Sequence, residues 1–232
     1  MNISPAQRFL LHALHIGALE LFPDPQKYRK LKSGRMSPYF FNSGLFNTGR
    51  SMRELAKAYA ASIVKNFPTA QVVFGPAYKG IPLAQGVVDA LLDSHILDFG
   101  FAANRKERKD HGDGGDILGH PLEGNRIVLV DDVMTTGASI LEALGIIHEH
   151  GGNVLGCVVG LDRQERASDD TVYSAVQLFK QKNNIPVFAA ATLDDLIGLL
   201  ESGGDQYPKG AKTLPRILEY KAKYGVQSTR GE

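Results

Sequence analysis

Asp131 and Asp132 stand side by side at the end of Ile127-Val128-Leu129-Val130, and Thr135-Thr136-Gly137-Ala138-Ser139 follows after Val133 and Met134. Two carboxylates can accept hydrogen bonds from hydroxyls. A small, hydroxyl-rich turn around a glycine, placed just before a helix, offers free backbone N–H groups to a phosphate. Together the two halves suit a sugar phosphate, with the amides on the phosphate and the acids on the hydroxyls. A second source of chemistry is Lys79, a cation in the loop Gly75-Pro76-Ala77-Tyr78-Lys79-Gly80-Ile81-Pro82. A third is the stretch from Asn104 to Asp116, with four cations, one histidine and three glycines. It is too polar to anchor a core. It reads either as a solvated loop or as a lid that brings positive charge onto a polyanion.

These groups need elements to hold them. The run 127–130 reads as a strand buried on both faces, and Ile140, Leu141, Ala143, Leu144 and Ile147 follow at helical spacing. The acids therefore fall at the carboxyl end of a strand, where open α/β sheets place their ligands. Val72-Val73-Phe74 is another short buried strand, so Lys79 lies at a second carboxyl end. Further strands are expected at 99–103, 153–162 and 185–190. Helices are expected on Leu55 to Ile63, from Pro82 to Leu91, on Val172 to Phe179, from Leu193 to Leu200, and around Leu214 to Lys221. This alternation predicts an α/β fold with a mainly parallel central sheet. Ser4-Pro5-Ala6-Gln7 carries the signals of a helix start. That helix and the extended pieces up to residue 48 fall outside the alternation and are expected to form a small hood. His12 and His15 share a helix face with no third ligand in view, and they read as surface histidines. Ser33-Gly34-Arg35 is a turn signal. Tyr39-Phe40-Phe41 cannot all face one side of a strand. They are either core or a flat platform for a planar heterocycle.

The 232 residues, 43% hydrophobic, are enough for one good-sized core. A net charge of +1 gives no reason to expect general nucleic-acid affinity. No apolar run reaches the length of a membrane span, and no secretory signal is evident. The single cysteine, Cys157, sits in an aliphatic strand and is read as a core residue, so the cytoplasm is the expected compartment.

The central stretch resembles the phosphoribosyl-pyrophosphate (PRPP) motif of the type I phosphoribosyltransferases. The resemblance extends to Leu31-Lys32-Ser33-Gly34-Arg35, Ser37 to Asn42, Phe74 to Pro82, Asn104 to Glu107, Lys109 to Gly112, and Leu161 to Glu165. In that order these blocks are similar to the orotate phosphoribosyltransferases, over about residues 30 to 166. The resemblance implies the type I phosphoribosyltransferase fold in one domain: a hood over about 1–48, a PRPP-binding core over about 49–232, and a lid over about 104–119. It implies transfer of the phosphoribosyl group of PRPP to orotate, with Mg²⁺, giving orotidine 5′-monophosphate and pyrophosphate in pyrimidine biosynthesis. It implies a homodimer whose lids act on each other's sites.

Residue by residue, it implies PRPP contacts from Lys32, Tyr78, Lys79, Arg105, Lys106, Lys109 and His111. Asp131 and Asp132 would meet the ribose hydroxyls, with Val133, Met134, Thr135, Thr136, Gly137, Ala138 and Ser139 around the 5′-phosphate. Asp131, Asp132, Lys109 and His111 would carry catalysis. Phe40, Phe41, Thr135 and Arg163 would hold orotate, and no dedicated metal cage is implied. Two departures stand out: residues 21–30 are bulkier than the family's short entry, and Arg108 adds a lid charge. A purine-salvage phosphoribosyltransferase shares the PRPP motif, but Phe40-Phe41 and Asp162-Arg163-Gln164-Glu165 speak against it. A non-catalytic PRPP-binding regulator would need a nucleic-acid-binding element that is not evident.

Overall fold

The structure is a computed structural model that describes residues 3–109, 115–134, 137–203 and 208–226. Helix α1 (Pro5–His15) starts on a reciprocal capping box between Ser4 and Gln7 and buries Phe9, Leu10 and Ala13. Strand β1 (Leu19–Leu21) is followed by β2 (Arg29–Lys30) and β3 (Met36–Ser37), an antiparallel pair that turns at Gly34, where φ is +84°. Strand β4 (Tyr39–Phe41) returns to pair antiparallel with β1. Helix α2 (Gly49–Asn66), capped by Thr48 and Ser51, buries the expected stripe of Leu55, Ala58, Tyr59, Ser62 and Ile63.

The alternating part follows: β5 (Val72–Phe74), α3 (Gly80–His95), β6 (Gly100–Lys109), β7 (Gly115–Gly119), β8 (Arg126–Asp131), α4 (Ala138–Glu149) and β9 (Asn153–Asp162). Then come α5 (Ala175–Asn183), β10 (Val187–Thr192), α6 (Leu193–Gly203) and α7 (Pro208–Tyr224). One six-stranded sheet has the order β10-β9-β8-β5-β6-β7, and all neighbours are parallel except β6 and β7. Val73, Val128, Val130 and Val158 join the core that includes α1, α2, α3 and α6. Val72, Phe74, Ile127, Leu129, Cys157 and Val159 join the core on the other face, with α4 and α5. Covering both faces is why these strands read as unbroken aliphatic runs. The parallel α/β expectation is met. Among the described residues, no helix is long and apolar enough to cross a membrane.

The order of strands fixes where a ligand can sit. From β5 the chain passes through α3 to β6 on one side, whereas from β8 it passes through α4 to β9 on the other. Strands β5 and β8 are neighbours, so their connections diverge and leave a crevice at their carboxyl ends. Lys79 caps α3 and Gly137 caps α4, which puts both loops at this crevice.

Several sequence expectations need correction. The polar stretch from residue 104 is not a loop at its arms: β6 runs to Lys109 and pairs with β7 as a hairpin, because ladder hydrogen bonds need no apolar side chains. Its first residue, Asn104, is buried, and its Oδ1 accepts the Ala77 N–H at 2.9 Å. Val172 is 70% exposed and lies outside α5, which starts at a Ser174–Gln177 capping box. Strand β10 begins two residues later than expected, at Val187 after Pro186, in register with Cys157 of β9. His12 is not a surface histidine. Its ring packs 6.3 Å from that of Phe46, and its Nε2 is buried with no hydrogen-bond partner among the described residues, whereas His15 is exposed.

The first turn after β5 is set by contact. A Cβ on Gly75 would lie 1.9 Å from the Gly80 carbonyl oxygen, so no side chain fits there. Gly75→Ala should therefore destabilise the protein by about 1–3 kcal/mol or more. Gly198→Ala, in α6 with open space around the new methyl, should stabilise it by about 0.5–1 kcal/mol. Urea unfolding of the two variants checks the contrast.

Candidate active site

The acid pair is held by backbone and hydroxyl donors. Ser139 Oγ donates to Asp131 Oδ2 at 2.6 Å, and the Asp132 N–H donates to Asp131 Oδ1 at 2.8 Å. Asp132 accepts from Ser43 Oγ at 2.8 Å, from its neighbour's N–H (Val133) at 2.7 Å, and from Lys79 Nζ at 3.2 Å. The carbonyls of the same two residues are also taken, by Tyr59 Oη at 2.7 Å and by the Gly160 N–H at 2.8 Å. A Cβ on Gly160 would meet the Asp132 carbonyl at 2.8 Å and Tyr59 Oη at 2.9 Å, so glycine is what lets β9 close on this corner.

Burial pushes the Asp131 carboxyl above the ordinary carboxylate range, and its two hydrogen bonds only partly offset this. Burial acts the same way on Asp132, but the Ser43 hydroxyl, the Val133 N–H and Lys79 together outweigh it and hold that carboxyl below the ordinary range. Adjacent residues thus have unlike environments. Beside the acids lies the start of α4, where Gly137 has φ +73° and a Cβ would lie 2.6 Å from the Phe179 ring. The N-cap residue is a glycine, so it brings no side-chain cap of its own to the first N–H groups of this helix. Ala138 and Ser139 are exposed there, with Val133 and Met134 partly buried beside them.

On the other flank, Arg163 follows the end of β9. Its Nε donates to Glu165 Oε1 at 2.6 Å, its Nη2 donates to Ser37 Oγ at 2.8 Å, and its guanidinium lies 4.0 Å from the Tyr39 ring centroid. Residues 37–43 therefore touch both ends of the site, Ser37 at Arg163 and Ser43 at Asp132. Between them, Phe40 and Phe41 are partly buried, and Phe41 packs on Phe9 and Phe46 at 5.9 and 6.1 Å. Tyr39 is fully buried.

Other expected residues are more dispersed. Tyr78 is 71% exposed in the loop beside Lys79. Lys32 is exposed in the turn between β2 and β3. Arg105 and Lys106 lie on β6, and Lys106 Nζ pairs with Glu142 of α4 at 2.9 Å. Lys109's side chain, His111, Thr135 and Thr136 lie outside the described residues. Ser37, Ser43 and Glu165 were assigned no role from sequence, although Ser37 and Glu165 stand inside the blocks that carried the resemblance. Two cavities of about 460 and 670 Å³ open elsewhere, and neither is lined by Asp131, Asp132, Lys79 or Arg163. The site is an open crevice at the carboxyl ends of the central strands β5 and β8, and its chemistry, not its depth, marks it. Among the described residues no group of three His, Cys, Asp or Glu could hold a metal ion by itself. Two adjacent carboxylates do fit a hard cation that takes most of its oxygens from a substrate and water.

The unlike environments have a measurable consequence. On lowering the pH, Asp131 should take up its proton first and Asp132 last, because burial favours neutral Asp131 while Asp132's donors favour its anion. Ser43→Ala removes one of those donors and should move Asp132 upward, towards Asp131. Side-chain carboxyl NMR titration of both proteins checks the order and its shift.

The family model of a phosphoribosyl transferase domain matches residues 46–194. An orotate phosphoribosyltransferase of Nitrosococcus oceani is 47% identical over 197 residues, 85% of this chain and 87% of that protein. One from Aliivibrio fischeri is 45% identical over 196 residues, 84% of this chain and 89% of the relative. The crystal structure of an orotate phosphoribosyltransferase from Francisella tularensis has a TM-score of 0.78 at 33% identity, covering 94% of this chain and 99% of the other. The chain belongs to the phosphoribosyltransferase family, and within it to the orotate phosphoribosyltransferases.

Proposed function

We propose that this protein transfers the phosphoribosyl group of PRPP to orotate, giving orotidine 5′-monophosphate and pyrophosphate in UMP biosynthesis. The observation that carries the reading is the segment 37–43, which joins an arginine suited to a carboxylate to an acid pair suited to a ribose. Asp131 and Asp132 accept from the ribose hydroxyls, and the first turn of α4, with Thr135 and Thr136 before it, receives the 5′-phosphate. Arg163 pairs with the orotate carboxylate, while Phe40, Phe41 and Thr135 bound the ring.

In the reaction the orotate ring nitrogen gives its electron pair to C1 of the ribose. The C1–O bond pair leaves with pyrophosphate, and the ring N–H proton passes to the departing pyrophosphate oxygen or to water. Positive charge builds on the ribose beside the two acids, and negative charge builds on the leaving group. Lys79 and Tyr78 meet the pyrophosphate from the β5 loop, with Lys32 from the β2–β3 turn. Arg105, Lys106, Lys109 and His111 meet it from the 104–119 stretch, and this preorganised charge is the main catalytic term. Lys106 must first leave Glu142, an exposed pair of the kind worth about 0–1 kcal/mol. Mg²⁺ bound to substrate oxygens would neutralise the leaving group, with Asp131 and Asp132 the side chains that suit it. Residues 1–48 serve as the hood, residues 104–119 as a lid, and 49–232 as the core. Two lids exchange sites in a cytoplasmic homodimer, which sedimentation would show as twice 25.2 kDa.

The test is a base panel. With PRPP and Mg²⁺, orotate should be consumed and pyrophosphate released in equal amounts. Hypoxanthine and adenine lack the carboxylate that Arg163 needs, and uracil is orotate without it, so all three should be poor substrates. Consumption of a purine or uracil in preference to orotate would refute the assignment.

A further inference from the structure

Arg163 is held from a part of the chain that the family model does not match. Glu165 is the hub: Oε1 accepts from Arg163 Nε at 2.6 Å and from Tyr39 Oη at 3.4 Å, and Oε2 accepts from Tyr220 Oη at 3.0 Å. Arg35 Nη1 lies 3.9 Å from the same Oε2. Tyr220 belongs to α7, beyond the matched residues 46–194, and its ring meets that of Tyr39 edge-on at 6.2 Å. Burial, and then Glu165, raise both phenols above the ordinary tyrosine range, so at working pH they remain protonated and donate to the carboxylate.

The backbone carries the same connection. After α7, Gly225 bridges antiparallel to Glu165; the Arg166 N–H donates to the Tyr224 carbonyl at 2.9 Å, and the Val226 N–H donates to the Gln164 carbonyl at 2.9 Å. Gln164 itself has φ +52°, a conformation a side chain makes unfavourable. Its side-chain amide is fixed at both ends on Asp194, which also pairs with Lys221 of α7. The tight turn that aims Arg163 is thus clamped by the C-terminal helix on one side and by Ser37 and Tyr39 on the other. With Nε on Glu165 and Nη2 on Ser37, the guanidinium plane is fixed against the Tyr39 ring before any ligand arrives.

We infer that Glu165 and Tyr220 are positioning residues for base selection, through which the C-terminal helix α7 sets the orientation of Arg163. This rests on the reading of Arg163 as the partner of the orotate carboxylate. Neither residue needs to touch substrate. Their effect belongs to orotate binding and not to PRPP.

The experiment is steady-state kinetics on Glu165→Ala, Glu165→Gln, Tyr220→Phe, Arg163→Ala and the double variant Arg163→Ala/Glu165→Ala. Glu165→Ala should raise the KM for orotate about tenfold, the scale of one charge-assisted hydrogen bond, with the KM for PRPP unchanged. Glu165→Gln keeps an acceptor for the Arg163 Nε–H and should recover most of the loss. Tyr220→Phe removes one hydroxyl and should raise the orotate KM by about two- to fivefold, and it keeps the test valid if Glu165→Ala does not fold. The double variant should be no worse than Arg163→Ala alone. Equal rises in both KM values, a Gln variant as poor as the Ala variant, or additive losses in the double variant would overturn the inference. If Arg163→Ala leaves the orotate KM unchanged, the carboxylate reading itself fails, and that result is distinct from the others.

Discussion

Two carboxylates in consecutive residues, at the end of a strand that is buried on both faces, are costly to keep ionised. Each loses water and each repels the other. The structure around Asp131 and Asp132 is arranged to meet that cost. Ser139 and a backbone N–H serve the first acid, while Ser43, a backbone N–H and Lys79 serve the second. Tyr59 and Gly160 hold the carbonyls behind them. These partners come from α2, the β5 loop, α4, β9 and the segment after β4. The acid pair is therefore where five separated parts of the chain meet, and displacing it would disturb all of them.

On the proposed reading, the two substrates fall to different parts of the molecule. The phosphoribosyl side lies at the divergence of β5 and β8, inside the region shared across the family. The base side is assembled largely from elements that flank that region. Ser37, Tyr39, Phe40 and Phe41 precede it, and Tyr220 follows it, with Arg163 and Glu165 as the points where they converge. This division gives a physical reason why a common PRPP scaffold can serve different bases. The crevice is fixed by sheet topology, while the base side depends on what packs against the end of β9.

Much of this was legible in the sequence, for definite reasons. Ile127 to Val130 could only be a strand covered on both faces, and the hydroxyl-glycine turn after the acids marked a helix start. Together they located the crevice. The Ser4–Gln7 capping box fixed α1 in the same way. The arms of the 104–119 hairpin were not legible, because a strand of charged residues paired at a sheet edge has no hydrophobic period to reveal it. Lys106 and Glu107 are exposed there. His12 was misjudged because helix spacing alone does not show that Phe46 covers its ring. The roles of Ser37 and Ser43, and the link from Glu165 to Tyr220, depend on contacts across 126, 89 and 55 residues of chain. Local pattern carries no trace of such distances.

The claim on which the account turns is that the negative charge of Asp131 and Asp132 is used on the ribose as positive charge develops there. Asparagine at both positions preserves shape and one acceptor oxygen per residue while removing that charge. The direct measurement is kcat/KM of the Asp131→Asn/Asp132→Asn protein with orotate and PRPP, beside its circular dichroism and melting temperature. Charge-assisted hydrogen bonds are worth about 1.5–3 kcal/mol each, so a loss on the order of a hundredfold or more is expected in a protein that remains folded. A folded double variant with near-normal kcat/KM would contradict the account.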